Sequence, residues 1–419
     1  MDILKVTDKI KTDHSIVSYE FHSHQPFGST TFDNNDEIRI SIPEIDNYTL
    51  PSESYLYVEG SVRKLAADGS ITKDASATGQ LVNNPVAFMF SDIRYLINGV
   101  HVDGVRNVGI SSCMKGYFSS TQNEVVKLEN AGWHIKPWKD DIAGVSKALD
   151  KNGNFGLSVP LKTLLGFAED FRKIMMNVRQ ELVLIRGHDD TDVIFQPAAA
   201  PNDEKLKLII NKIIWRVPHV AVGLREQLAL TKLSERNVDI HVPFRSWEIH
   251  EYPQLPQTTK QSWAVKTAPQ LETPRFIIIG FQTNRKGIFK GNMALFDNIN
   301  LTNVTVFLNG ERFPYDNLNV DFNNNHYAIL YDMYSRFQQA YYYQESEPLF
   351  SPEEFKTYAP LIGIDCTYQQ EAIHKSGVEI KIEYSTKNPI PEGTTADALI
   401  LHDRAFVYSP LTKMVKQLI

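Results

Sequence analysis

The sequence predicts an all-β protein made of two antiparallel sandwiches in tandem, with short helices confined to the connections. Three observations carry this. β-branched and aromatic residues recur in runs of strand length, separated by long polar loops. The regular alternation of strand and helix that βαβ units need is missing. Two Asn-Gly dipeptides set in apolar runs, at 98–99 in IRYLINGVH and at 309–310 in VTVFLNGER, lie 211 residues apart in a chain of 419. Asn-Gly between apolar runs is a strong hairpin signal, because both residues tolerate positive φ. Two such hairpins at half-chain spacing predict a duplicated unit.

The flanks repeat in the same order. Residues 37–42 (EIRISI) alternate at period two and end at Pro43, and residues 54–62 (SYLYVEGSV) make a second strand. Residues 64–84 read as a long loop, and residues 87–90 lead into the first hairpin. A short helix is expected within 110–132, and a second long polar insertion over 133–155. Apolar spacing at Leu161, Leu164, Leu165, Ala168 and Phe171 predicts a helix over 161–172. Residues 181–186 form a strand, 187–190 a turn, and 207–220 a strand-rich stretch with Pro218 near an edge or end. The segment GLREQLALTKLSER (223–236) predicts a short amphipathic helix at the domain junction.

The second half then restarts. It has a proline-interrupted strand over 239–249, a proline-rich connection, a core strand over 275–281 and the second hairpin. A helical connection (327–343) and late strands over 378–384, 399–401 and 405–408 complete it. An eight-stranded jelly roll fits each half. The expected domains are an N-terminal jelly roll over 1–222 whose first 30 residues are a mobile arm, a helical linker over 223–238, and a C-terminal jelly roll over 239–419.

Bulk properties bound the function. A net charge of −7 without a long basic run argues against a dedicated nucleic-acid binder or a cationic membrane-surface protein. Cys113 and Cys366 are too few for a disulfide framework or a cysteine zinc site, which points to a reducing compartment. No apolar run approaches the ~20 residues of a membrane span, and the first residues lack the pattern of a signal peptide.

Each candidate for chemistry has a plainer reading. His22 and His24 could share a metal on one strand face, but with no third histidine or carboxylate nearby they read as part of the polar arm. His188, Asp189 and Asp190 could ligate a divalent ion and read better as a solvated turn. Cys366, His374 and Asp403 could be imagined as a hydrolase set. No motif places them together, and Cys366 beside Ile362 and Ile364 reads as a small buried residue. The segment His402-Asp403-Arg404 is expected to interrupt the last strand pair. Arg285, Lys286 and Lys290 could touch phosphate and read as a solvent-facing loop. Trp215, Trp247 and Trp263 could stack sugars, whereas buried or interface aromatics are commoner. Phosphate-loop, dinucleotide, zinc-protease and nucleophile-elbow motifs are all missing. The residues therefore assign no catalytic, cofactor-binding or metal site, and the expectation is a protein that is not an enzyme.

The segments ETPRFIIIGFQTNR, LTNVTVFLNGERFPYDNLNVDF, YAILYDMYSRFQQAYY, APLIGIDCTYQQE and ALILHDRAFVYSPL resemble double jelly-roll major capsid proteins, in particular those of Polinton/Maverick elements and adintovirus-like viruses. So do IIWRVPHV and FRSWEIHEYPQLPQT at the junction and FMFSDIRYLINGVHVDG in the first half. The resemblance implies two jelly rolls side by side, a homotrimer forming a pseudo-hexameric capsomer, and capsomers tiling an icosahedral shell. It implies a minor penton protein as partner, double-stranded DNA contacted only indirectly, no cofactor, and a place in the virion after synthesis in host cytoplasm or nucleus. A lattice-forming scaffold or domesticated capsid relative, and a carbohydrate-binding sandwich, are the alternatives.

Overall fold

The computed structural model describes residues 15–28, 31–44, 48–66, 68–75, 79–136, 148–196, 205–265, 274–368 and 378–418. In the first half the principal strands are β1 (Ile16–His24), β2 (Glu37–Ile42), β3 (Tyr55–Leu65), β4 (Phe90–Ile97), β5 (Val100–Arg106), β6 (Asn154–Pro160), β7 (Gln180–Arg186) and β8 (Leu206–Val222). The second half has β9 (Ile240–Tyr252), β10 (Lys260–Val265), β11 (Pro274–Thr283), β12 (Leu301–Leu308), β13 (Glu311–Phe313), β14 (Ile362–Asp365), β15 (Ile380–Thr386) and β16 (Thr394–Tyr408).

Pairing shows the duplication directly. One sheet of the first half runs β1-β8-β3 with β6 on β3, and the facing sheet runs β2-β7-β4-β5. Adding eight to each label gives the second half, β9-β16-β11-β14 facing β10-β15-β12-β13. Every principal pair is antiparallel. This is a jelly roll, twice. The cores follow from alternation: Ile38, Ile40 and Ile42 on β2 and Ile380, Ile382 and Tyr384 on β15 all point inward and are buried.

The two Asn-Gly turns occupy the same place, linking β4 to β5 and β12 to β13. Both residues of each turn have positive φ, 50° and 80° in the first and 48° and 89° in the second. The asparagines do more than turn the chain. Asn98 N–H donates to the Arg179 carbonyl, and its Oδ1 accepts from Arg179 N–H, both at 2.8 Å. Asn309 repeats this on Glu379, at 3.0 and 2.7 Å. Each asparagine thus imitates one more strand residue and ties its hairpin to the start of β7 or β15. Replacing either by alanine should cost about 1–2 kcal/mol, from a disfavoured left-handed backbone and the lost side-chain hydrogen bonds, one at Asn309 and two at Asn98, whose Nδ2 also donates to the Lys413 carbonyl at 2.9 Å. Chemical denaturation of N98A and N309A checks this, and Asn→Asp, which keeps the acceptor, should cost less at both sites.

Helices fill the connections: α1 (Pro85–Phe88), α2 (Val108–Ser119), α3 (Gln122–Leu128), α4 (Gly166–Asp170), α5 (Leu224–Glu235), α6 (Ala328–Ser335), α7 (Phe337–Tyr342) and α8 (Pro352–Tyr358). α5 joins β8 to β9 and has no buried residue.

Several expectations are corrected. The arm carries β1 over 16–24, paired with β8 from Ile16↔Val222 to His24↔Trp215, while residues 1–14 lie outside the described residues. The loop over 64–84 contains a strand at Ile71–Ala75 on β3 and a short pair between Gln80–Leu81 and Ile194–Phe195. Within 133–155, Trp133 is buried, and 137–147 lie outside the described residues. The helix expected over 161–172 is a 3-10 turn (Leu161–Thr163) followed by α4, broken at Leu165 in extended conformation. Its apolar residues are all buried, and Gly166 at the start of α4 lies hard against the Arg245 backbone of the second half. β16 runs unbroken through His402-Asp403-Arg404, because each of the three finds a polar partner.

Candidate functional site between the sandwiches

The two halves meet across a seam built from β5, α2 and α4 on one side and β9 and α7 on the other. Backbone approach comes first. A Cβ on Gly166 would sit 1.8 Å from the Arg245 carbonyl oxygen, so only glycine lets α4 lie against β9. Asp103 on β5 is fully buried. It accepts from the Ser246 hydroxyl at 2.6 Å and the Phe167 backbone N–H at 2.9 Å, joining β9 and α4 through one carboxylate.

Beside it, Asp170 receives the Arg245 guanidinium in bidentate fashion at 2.7 and 2.5 Å and also the Arg245 backbone N–H at 2.8 Å. The guanidinium lies 4.1 Å from the Tyr341 ring centroid. Burial works against its charge, but Asp170, together with Tyr341 and Glu169, holds the group above its ordinary value. The third charge is Lys115 on α2, buried and bonded to both Glu169 oxygens at 3.0 and 3.1 Å and to the Tyr342 hydroxyl. Its ammonium is about equidistant from the rings of Trp247 (5.0 Å), Tyr341 (5.1 Å) and Tyr342 (5.0 Å). Burial pulls the Lys115 pKa down and Glu169 resists. α2 also reaches deep into the second half, where the Tyr117 hydroxyl donates to the Ala294 carbonyl at 2.7 Å and Phe118 packs against Tyr334 and Phe337. These paired groups tie the two sandwiches together across the seam, while Trp247 Nε1 and the Tyr341 hydroxyl are buried there without a hydrogen-bond partner.

The candidates from sequence fall elsewhere. Trp215, Trp247 and Trp263 are all buried and offer no sugar platform. Cys113 and Cys366 are buried free thiols whose pKa burial pushes up, the wrong direction for a nucleophile. Asp403 is bound to Arg275, and His374 lies outside the described residues. Asp190 is not in a solvated turn. It is buried, pairs with Arg186 at 3.0 Å and accepts from Leu208 N–H. His188 and Asp189 do line a cleft of about 280 Å³ together with Asp192, Lys286 and Met293. The basic loop is neutralised there: Arg285 pairs with Asp297 at 2.6 Å and Lys286 with Glu251 at 2.9 Å. Among the described residues no group of three or more His, Cys, Asp or Glu side chains is placed to hold a metal. No helix among them is long and apolar enough to cross a membrane.

A third histidine does exist beside the first two. His219 on β8 stacks on His22 with ring centroids 4.0 Å apart, and its Nε2 lies 3.1 Å from that of His24. Nothing local in sequence marks it, since the register of β1 on β8 brings it there. Burial, followed by the charges of His22 and His24, lowers the His219 pKa from 6.5 to about 4, and His24 moves the same way. Glu20, 3.9 Å from His22, and Arg216, opposite Ser23, are the other charges along this pairing. The folded pKa lies below the unfolded one, so this stabilisation is complete above pH 6.5 and is lost as pH falls toward 4. Amide exchange of residues 16–24 should therefore accelerate over that window, and H219Q should flatten the response.

With the geometry in place, the comparisons are specific. The family described as double jelly roll-like domain matches residues 79–406, most of the chain. The chain belongs to the double jelly roll-like domain family. Its fold is similar to a chain of the Sputnik virophage, at a TM-score of 0.62 and 10% identity, covering 99% of this chain and 91% of that one. For the mavirus major capsid protein the TM-score is 0.60 at 10% identity, covering 100% and 93%. For the PBCV-1 virus capsid chain it is 0.58 at 10% identity, covering 99% of each. At such identity these likenesses establish the double jelly roll fold and nothing finer. A search of curated protein sequences returns no match.

Proposed function

We propose that this double jelly-roll chain is the major structural subunit of a viral-type capsid, of the kind carried by Polinton/Maverick elements and adintovirus-like viruses. Three chains associate into a pseudo-hexameric capsomer, and capsomers tile an icosahedral shell around double-stranded DNA, with a minor penton protein as partner. The protein is made in host cytoplasm or nucleus and ends in the virion. It acts as a building block and not as an enzyme.

The observation that carries this reading is the double jelly roll itself, which aligns over nearly the whole length of chains from a PBCV-1 virus capsid and of the mavirus major capsid protein. The seam supports it. A lattice subunit has to hold two sandwiches at one fixed placement, and the Lys115, Arg245 and Asp103 clusters do that. Size-exclusion chromatography with light scattering should give three times the 47.7 kDa chain mass, and negative-stain images should show particles of hexagonal outline. A strict monomer at assembly concentration would overturn it.

A further inference from the structure

We propose that the side chains of Lys207 and Asn34 form an intramolecular isopeptide bond, with Asp190 as the carboxylate that moves the protons. The bond staples together the two facing sheets of the first sandwich, whatever the chain assembles into.

Asn34 lies three residues before β2 and Asp190 four residues past β7, both strands of one sheet. Lys207 is the second residue of β8, in the sheet that faces it. Their functional groups meet. The Lys207 Nζ donates to Asn34 Oδ1. The amide nitrogen of Asn34, Nδ2, donates to Asp190 Oδ1 at 3.1 Å and to the Gly187 carbonyl at 3.3 Å. The second Asp190 oxygen, Oδ2, lies 3.6 Å from Lys207 Nζ. One carboxylate therefore faces both the nucleophile and the leaving group of an amide exchange, the placement that a proton shuttle needs. Contacts at both ends of the Asn34 amide hold it against the amine.

An ordinary ion pair between Lys207 and Asp190 fits these distances less well. Asp190 is buried and already accepts from the Arg186 guanidinium and the Leu208 N–H, each at 3.0 Å. Lys115, by contrast, closes on both Glu169 oxygens at 3.0 and 3.1 Å. Lys207 turns to the amide instead, and its side chain is 27% exposed, so a small leaving group reaches solvent. The step balances. The Lys207 ammonium gives up two protons and its nitrogen bonds to Asn34 Cγ. The Cγ–Nδ2 bond breaks, and that nitrogen carries both protons away as ammonium. Asp190 relays them, accepting at Oδ2 and donating from Oδ1, and ends with the charge it began with. Arg186 favours that charge between transfers. The product joins positions 173 residues apart. In a chain whose two cysteines are free and buried, it supplies the cross-link that a disulfide supplies elsewhere.

The test is mass spectrometry of the full-length protein after folding and incubation at neutral pH. Wild type should be lighter than its sequence by one ammonia, and a protease digest should contain a branched peptide joining Asn34 to Lys207. Lys207→Arg and Asn34→Ala should each restore the mass of the sequence. Asp190→Asn should slow linking about a hundredfold or more, the usual weight of a positioned acid–base group. Lys207→Arg keeps the charge on a half-buried side chain, so its circular dichroism should match wild type. The comparison therefore stands even where Asp190→Asn fails to fold. A wild-type mass equal to the sequence, with separate Asn34 and Lys207 peptides recovered, overturns the inference. So does loss of ammonia without the branched peptide, which is ring closure at Asn34 alone, or loss of water with Lys207 joined to Asp190.

Discussion

Replacing Lys115 by alanine should lower the free energy of unfolding by about 3–5 kcal/mol, the range for removing one partner of a buried ion pair. The cause is what stays behind. The Glu169 carboxylate would be left in a seam that water hardly reaches, bonded by the Tyr342 hydroxyl alone, and the rings of Trp247, Tyr341 and Tyr342 would face a cavity. Lys115 sits on α2 and Glu169 on α4, while the hydroxyl and all three rings belong to the second half, so the loss falls on the joint between sandwiches. Beside K115A, denaturant unfolding of K115M, of E169Q and of the K115M/E169Q double variant forms the decisive cycle. The double variant should recover most of the lost stability, because it removes both charges and keeps the volume. Strictly additive effects would show that the pair is not coupled.

The sheets were legible in the sequence and the seam was not, for a physical reason. Strand alternation in EIRISI and Asn-Gly turns are local, and they pointed to the paired hairpins that the fold displays at β4–β5 and β12–β13. Lys115 left only a faint mark, a lone cation in the apolar run GISSCMKGYFS, and its partners lie 54 to 227 residues away. β1 carries charge, His and Ser without periodicity, since none of its residues is buried and burial is what writes alternation into a strand. Its pairing with β8 spans some two hundred residues, which also hid His219. The polar trio His402-Asp403-Arg404 looked like a break because polarity within a strand is readable only with its neighbours: Glu248 and Arg275 within the sheet, and the Val102 carbonyl across the seam.

Asp397 sets the second large effect, and its sign is opposite. It lies mid-strand on β16, opposite Glu251 on β9 and Gly280 on β11, almost wholly buried, and its Oδ1 has no hydrogen-bond partner. Burial first, and then the Glu251 charge, raise its pKa from 3.8 to about 7, with Lys286 opposing. The Lys286 ammonium is already shared between both Glu251 oxygens, at 2.9 and 3.0 Å, which leaves Asp397 little relief. The folded pKa lies above the unfolded one. Below pH ~4 both states are protonated and the group costs nothing. As pH rises toward 7 the unfolded chain ionises while the folded one resists, so stability falls across that window and is level above it. D397N removes the charge and keeps the shape. It should match wild type near pH 4 and exceed it by on the order of 4 kcal/mol above pH 7, at ~1.4 kcal/mol per pKa unit. Denaturation midpoints from pH 4 to 8 would test this, and parallel curves for the two proteins would mean that Asp397 ionises freely in the fold.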